Sequence, residues 1–263
     1  MLDPQRRCSG LRVLVTGGSQ GVGLAIARRM AMEGSEGIVL AGRDARKGES
    51  AVAEIERMGA RCCFVRADVS IPEDCEQLLE AAAGKLGLLN GLVNAAGISD
   101  RSSLLDTTLD DWDRHFHTNA RGPFLLMQGF VRRLLEVGEP GNIVNIVSMA
   151  AHCGGPQVTP YSASKAALAN MTRNVANAFA AKHIRCNAIM AGWMNTPGDD
   201  EIQRKYHGRS DGWQAIAGKS LPMGQLADSA RLAGLAAYLI SPDSGVMTGA
   251  LVDYDQAVIG TWQ

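Results

Sequence analysis

Tyr161 and Lys165 stand four residues apart in Tyr161-Ser-Ala-Ser-Lys165. On a helix that spacing brings both side chains to one face, one turn apart. A phenol beside a fixed ammonium is an acid/base device, because a nearby cation favours the phenolate. A core Tyr followed by a solvent-facing Lys would show the same spacing, so the pair gains meaning only in company. Ser148 is part of that company: it ends an apolar run thirteen residues before Tyr161. A strand end and a helix start can bring two such hydroxyls into one pocket. The chemistry of that pocket is proton transfer to or from an oxygen.

Strands alternating with helices provide the scaffold. Residues 11–16, 38–41, 61–67, 89–94, 142–148, 183–190 and 250–254 read as strands, short, β-branched and bounded by turn residues. Helical spacing follows Val22 as far as Gly34, and Asp44 is placed to cap a helix that Gly59 stops. Further helices are predicted over 72–86, 108–137, 160–182 and 227–239, with Gly122-Pro123 adjusting an early turn of the second of these. This alternation predicts an α/β fold: a doubly wound parallel sheet of about seven strands with helices on both faces. No linker divides the chain, so residues 1–263 form one domain. The 196–221 stretch is charged, has poor periodicity and reads as an insertion over the strand ends.

Composition narrows the function. The 263 residues carry a formal net charge of −1, with no basic stripe or tail, which argues against nucleic acid and anionic membrane surfaces. The apolar run 143–151 is interrupted by Asn145 and Ser148 and is too short to span a bilayer. No apolar stretch follows the first seven residues, so no signal peptide is expected, and Arg6-Arg7 leads into a strand rather than an export signal. Cysteines 8, 62, 63, 75, 153 and 186 show no CxxC or Cys/His ligand spacing. They read as reduced thiols of a cytoplasmic protein, with no metal site.

In such a sheet, ligands bind beyond the carboxyl ends of the strands. Gly17, Ser19, Gln20, Gly21, Val22 and Gly23 lie between the first strand and its helix. Glycines there let the backbone turn sharply and approach a pyrophosphate, which a helix N-terminus favours. At the end of the second strand, Gly42 stands where NAD binders carry an acid, and Arg43 follows. A guanidinium suits a 2′-phosphate, which favours NADP over NAD, although Gln20 adds no second charge. Asp68-Val69 after the third strand could meet an adenine, or Asp68 could cap a turn. Asn94, Ala95 and Gly97 after the fourth strand could form a cofactor wall or a plain turn.

Together these residues resemble the short-chain dehydrogenase/reductase family, in its single-domain branch, over about residues 11–254. The resemblance rests on Thr16-Gly17-x3-Gly21-x-Gly23, Asp68, Asn94-Ala-Ala-Gly97, Asn119, Ser148 and Tyr161-x3-Lys165. It implies an NAD(P)-dependent oxidoreductase acting between a secondary alcohol and a ketone. Tyr161 would be the general acid/base. Bringing its pKa from near 10 to about 7 takes about 4 kcal/mol, with Lys165 and the oxidised nicotinamide as the implied sources. Ser148 would orient the substrate oxygen, Lys165 would also hold the nicotinamide ribose, and Asn119 would hold a water relaying protons from Lys165. Gly192 and Thr196 keep the family spacing after the sixth strand, so Thr196 would hold the carboxamide. The usual proline is replaced by Ala191, and Trp193 adds bulk.

For the substrate side, His152, Gln157, Trp193 and Asn195 are the candidates, joined by Asp199, Gln203, His207 and Trp213 in the 193–221 segment, which reads as a lid. This polar inventory suits a small hydroxylated substrate such as a sugar, polyol or hydroxy acid. By analogy with the family, the chain would form a homotetramer or homodimer through helices 108–137 and 160–182. Two other readings remain at this level. One is a nucleotide-binding sensor without turnover. The other is a lyase or epimerase that stores a hydride transiently, though such relatives carry a larger C-terminal domain.

Overall fold

The computed structural model describes residues 6–152 and 154–261. The Cys153 thiol and the first five residues, on which the leader reading partly rests, lie outside the described residues. Seven parallel strands form one sheet: β1 (Arg12–Thr16), β2 (Gly37–Gly42), β3 (Cys62–Arg66), β4 (Gly91–Asn94), β5 (Gly141–Ile146), β6 (Ile184–Ala191) and β7 (Leu251–Tyr254). Their order is β3-β2-β1-β4-β5-β6-β7. The chain winds outward from β1 in one direction and then, from β4, in the other. That reversal leaves a crevice beyond the ends of β1 and β4.

Alternation along the strands divides the interior in two. Val13 and Val15 face a core shared with α1 (Gly21–Met32), α2 (Ala45–Arg57) and α9 (Ser229–Ile240). Leu14 faces the opposite core, filled from α3 (Pro72–Leu86), α5 (Gly122–Val137) and α6 (Thr159–Phe179). Helix boundaries follow local chemistry. The Asp44 carboxylate accepts from the Lys47 N–H at 3.0 Å to cap α2, and Pro72 occupies the first turn of α3.

Two segments depart from the sequence reading. Residues 108–137 are not one helix. α4 (Leu109–Phe116) passes into a π-type segment, His117–Arg121, before α5 begins. Gly122 lies so close to Val69 that a Cβ there would collide with the Val69 carbonyl oxygen. The extra backbone of a π turn makes room for such an approach while keeping the helix axis. The 196–221 stretch, read as irregular, contains α7 (Pro197–His207) and α8 (Trp213–Lys219). Its helical period is faint because α7 buries only Gln203. Among the described residues, no helix is long and apolar enough to cross a membrane, and no cluster of side chains could hold a metal ion.

Candidate active site

A cleft of about 740 Å³ opens at the carboxyl ends of the strands, from Arg43 and Asp68 at one end to His207 and Arg209 at the other. Its first wall is almost all backbone. Gly17 has φ +64°, and a Cβ on it would lie 2.9 Å from the Ala96 backbone. A Cβ on Gly23 would collide with the Gly17 carbonyl oxygen. The Thr16 hydroxyl accepts from the N–H groups of Ala95 and Ala96, each at 3.2 Å, and so ties the first glycine turn to the end of β4. The result is a cradle at the N-terminus of α1 that side chains would fill, suited to a pyrophosphate. Ser19, Gln20, Gly21 and Val22 line it.

Asp68 stands at the Arg43 end of the cleft. Its carboxylate accepts from the N–H and hydroxyl of Ser70, at 2.9 and 2.7 Å. It therefore holds a turn, and it also lines the cleft beside Val69. Arg43 is exposed, with its guanidinium 3.9 Å from Asp68. The Lys47 ammonium donates to Gln20 Oε1 at 2.8 Å, so a second cation stands beside the glycine loop where Gln20 alone offered none.

The middle of the cleft carries Ser148, Tyr161 and Lys165. β5 delivers Ser148, whose hydroxyl accepts from Ala150 N–H at 3.1 Å. α6 delivers the other two. Burial pushes the Tyr161 phenol above its usual pKa, while a hydrogen bond with Ser148 and the Arg101 charge act in the opposite direction. Burial also lowers the Lys165 ammonium from 10.5 to about 8. Lys165 Nζ donates to the Ile146 carbonyl at 2.9 Å. In this state the ammonium is turned to β5, and it is not among the groups lowering the phenol.

Asn119 sits on the π segment and is fully buried. Its amide donates to Ile98 O (2.9 Å) and Ser164 Oγ (3.1 Å), and its oxygen accepts from Ile98 N–H (2.9 Å). Both amide protons are thus committed to joining the β4 loop to α6. A Cβ on Gly97 would lie 3.2 Å from Asn119 and 3.3 Å from the Lys165 ammonium, so only glycine leaves that corner open.

Four expected site residues are elsewhere. The Asn94 side chain is buried beneath the cleft, donating to Asn145 Oδ1 at 2.8 Å, while Ala95, Ala96 and Gly97 after it line the cleft. Asn145 in turn donates to Thr172 Oγ1 on α6 at 2.9 Å. His152 is exposed and pairs with Asp253 of β7 at 2.7 Å. Gln157 is exposed, and its carbonyl accepts from the Ser102 N–H. Asn195 lines a separate hollow with Gln214 and Asp228. None of the four is among the residues lining the cleft, although residues close to each in sequence are.

The far wall is built from side chains. Gly192 and Thr196 line the cleft, and the Thr196 hydroxyl caps α7 by accepting from Asp199 N–H at 3.2 Å. Trp193 faces the cleft and donates to Asp199 Oδ2 at 2.8 Å. It stacks on Trp213 at 5.9 Å between ring centroids, and Trp213 Nε1 donates to Asp200 Oδ1 at 2.7 Å. Trp213, taken from sequence as a substrate contact, is instead the buried support behind Trp193. Asp199, Gln203 and His207 line the cleft as expected. Sequence reading missed Arg101 and Arg209. Arg101 lies four residues beyond Gly97 on the same strand end, and Arg209 directly follows the glycine that ends α7. Position relative to a strand end and a helix stop was the signal for both.

Comparison with known proteins agrees with this geometry. The family model described as enoyl-(acyl carrier protein) reductase matches residues 17–256. An L-rhamnose 1-dehydrogenase (NAD(P)(+)) of a Sphingomonas species is 30% identical over 94% of this chain and 95% of its own. A (3R)-3-hydroxyacyl-CoA dehydrogenase of Canis lupus familiaris is 32% identical, over 96% and 97%. The crystal structure of a short-chain type dehydrogenase/reductase from Mycobacterium marinum superposes with a TM-score of 0.87 at 30% identity, covering 97% of both chains.

Proposed function

Because the chain belongs to the short-chain dehydrogenase/reductase family, a family of NAD(P)-dependent oxidoreductases, we propose that it interconverts a small polar secondary alcohol and its ketone. The carrying observation is the convergence of Ser148, Tyr161 and Lys165 on one cleft with the glycine cradle. The cradle fits a dinucleotide: Gly17, Gly21 and Gly23 would face the pyrophosphate, Asp68 and Val69 the adenine, Lys165 the nicotinamide ribose, and Thr196 the carboxamide. The bound nicotinamide supplies or accepts the hydride. Arg43, with Lys47 beside Gln20, supports NADP rather than NAD.

Ser148 holds the substrate oxygen beside the Tyr161 hydroxyl, which gives or takes its proton. Lys165 carries the positive charge that a phenolate needs, and it reaches that role by leaving the Ile146 carbonyl. Asn119 is a positioning residue: it clamps the Ile98 loop to Ser164, next to Lys165 on α6. The proton relay implied for it then falls to its main chain rather than its amide. α7 and α8, with Trp193, form the substrate-side lid over residues 193–221. Exposed Leu104, Leu105, Leu109, Trp112 and Phe124 on and around α4 and α5 suit an interface between copies of the chain. Five free cysteines among the described residues suit the cytoplasm.

The test is a panel of polyols, sugars, hydroxy acids and ketones with NADP and NAD, read by nicotinamide absorbance. We expect turnover with greater efficiency for NADP, and a loss of about 10³-fold in Tyr161→Phe with cofactor affinity kept. Full activity in that variant would overturn the mechanism. Stronger stabilisation by NAD than by NADP would overturn the Arg43 reading.

A further inference from the structure

The proposed reaction leaves two charged groups of the cleft unused. Arg101, on the loop after β4, and Arg209, after α7, both line its substrate end. Among the described residues neither guanidinium has an ion pair or a side-chain hydrogen bond, although carboxylates are plentiful on that rim. Most of those carboxylates are already engaged. Asp100 accepts from Lys205 and Tyr206 and faces Arg114. Asp200 takes Arg204 and the Trp213 indole. Asp211 takes Arg204 as well. Asp199 is held by Trp193 and Gln203; the Arg101 charge reaches it without forming an ion pair, and burial raises its pKa, which weakens its pull on a cation. Asp255, on the wall formed by β6 and β7, stands against Gly192 and forms an ion pair with neither guanidinium. The rim is thus ordered so as to leave two guanidiniums over, both half-buried.

Arg101 is near enough to Tyr161 for its charge to act on the phenol. Arg101 and Tyr161 line the same cleft, so a group bound by Arg101 shares it with the oxygen that Tyr161 serves. Guanidiniums meet carboxylates and phosphates with paired hydrogen bonds, and a sheltered site strengthens the attraction. A neutral sugar would leave both cations unmatched.

We propose that the substrate carries an anionic oxygen group, a carboxylate or a phosphate, close to its reacting carbinol, and that Arg101 with Arg209 binds it. This deepens the alcohol–ketone reading and rests on it. The carboxylate and phosphate forms share one recognition chemistry, and matched probes separate them: 2- and 3-hydroxybutyrate against their methyl esters, and glycerol 1-phosphate against glycerol.

Trp193 lines the same cleft, so tryptophan fluorescence of the NADP-loaded protein reads binding without turnover. We expect each bound anion to be held at least about tenfold more tightly than its neutral partner, with kcat/KM following the same order. Arg101→Gln should reduce that ratio to about threefold or less, chiefly through KM, and Arg101→Lys should restore part of it. Unchanged NADP affinity in both variants confirms that they fold. Equal or tighter binding of the neutral partners, or an unchanged ratio in Arg101→Gln, overturns the anion inference while leaving the oxidoreductase reading in place. Absence of any nicotinamide absorbance change across charged and neutral probes, with binding intact, overturns the oxidoreductase reading instead.

Discussion

The two walls of the cleft are made of different materials. One wall is backbone brought close: Gly17 and Gly23 stand where a Cβ would strike neighbouring backbone. The opposite wall is side chains holding side chains: Trp193 on Asp199, Trp213 on Asp200, and the two rings on each other. A backbone surface offers the same N–H groups whatever the neighbouring sequence, so it suits a ligand that does not change. A wall of side chains can be altered one residue at a time without disturbing the sheet, so it suits the variable partner. The two walls should therefore fail independently.

The strongest break is Gly23→Val. Its side chain would occupy the space of the Gly17 carbonyl, and NADP affinity should fall by about 100-fold, equivalent to about 3 kcal/mol. Fluorescence titration measures this, with circular dichroism to verify folding. Normal NADP affinity would show that the glycine turn is not the pyrophosphate cradle.

Trp213→Ala attacks the other wall. Removing a buried indole costs about 3 kcal/mol, and here the loss should fall on α7 and α8 rather than on the sheet. Amide exchange should accelerate over 197–219, and KM should rise about tenfold, while NADP affinity stays within about twofold. A parallel loss of NADP binding would show that the walls are coupled.

The smallest effect lies at the seam between them. Lys165 is buried with its pKa lowered from 10.5 to about 8, so the charged form is held at a cost below pH 8. Between about 8 and 10.5 the unfolded chain binds the proton that the folded one releases, so this cost shrinks as pH rises. Lys165→Met should accordingly be inactive yet more stable than the parent by about 1–2 kcal/mol at neutral pH, allowing for the lost bond to Ile146. That advantage should fade toward pH 10, as urea unfolding at several pH values would reveal. An equal advantage at all pH values would show that burial does not shift the lysine pKa in the folded protein.

The same contrast explains what could be read from sequence. Strands such as β1 and β2 carry their type in β-branched runs, and the turn glycines mark a backbone requirement that no other residue meets. Tyr161 and Lys165 lie at fixed helical spacing, so their shared face was legible too. Direction at loop residues was not: Asn94, His152, Gln157 and Asn195 lie near the cleft in the chain, yet each side chain finds a hydrogen-bonding partner or an exposed place away from it. The helices of 197–219 were hidden because they bury one glutamine, one tryptophan and the small Ala217 and Gly218 rather than an apolar stripe. Arg101 and Arg209 became visible only when the carboxylates around them were matched to other partners.

The buried line from Asn94 through Asn145 to Thr172 bears on how the chain finds this arrangement at all. Strands made of Val, Ile and Leu fit one another almost equally well when slipped by two residues. Asn94 and Asn145 are direct partners in the β4–β5 register, and Thr172 joins α6 to the same point. A slipped pairing would bury amides facing only hydrocarbon, at a cost of several kcal/mol. The amide pair thus favours the register in which α6 sets Tyr161 against the end of β5.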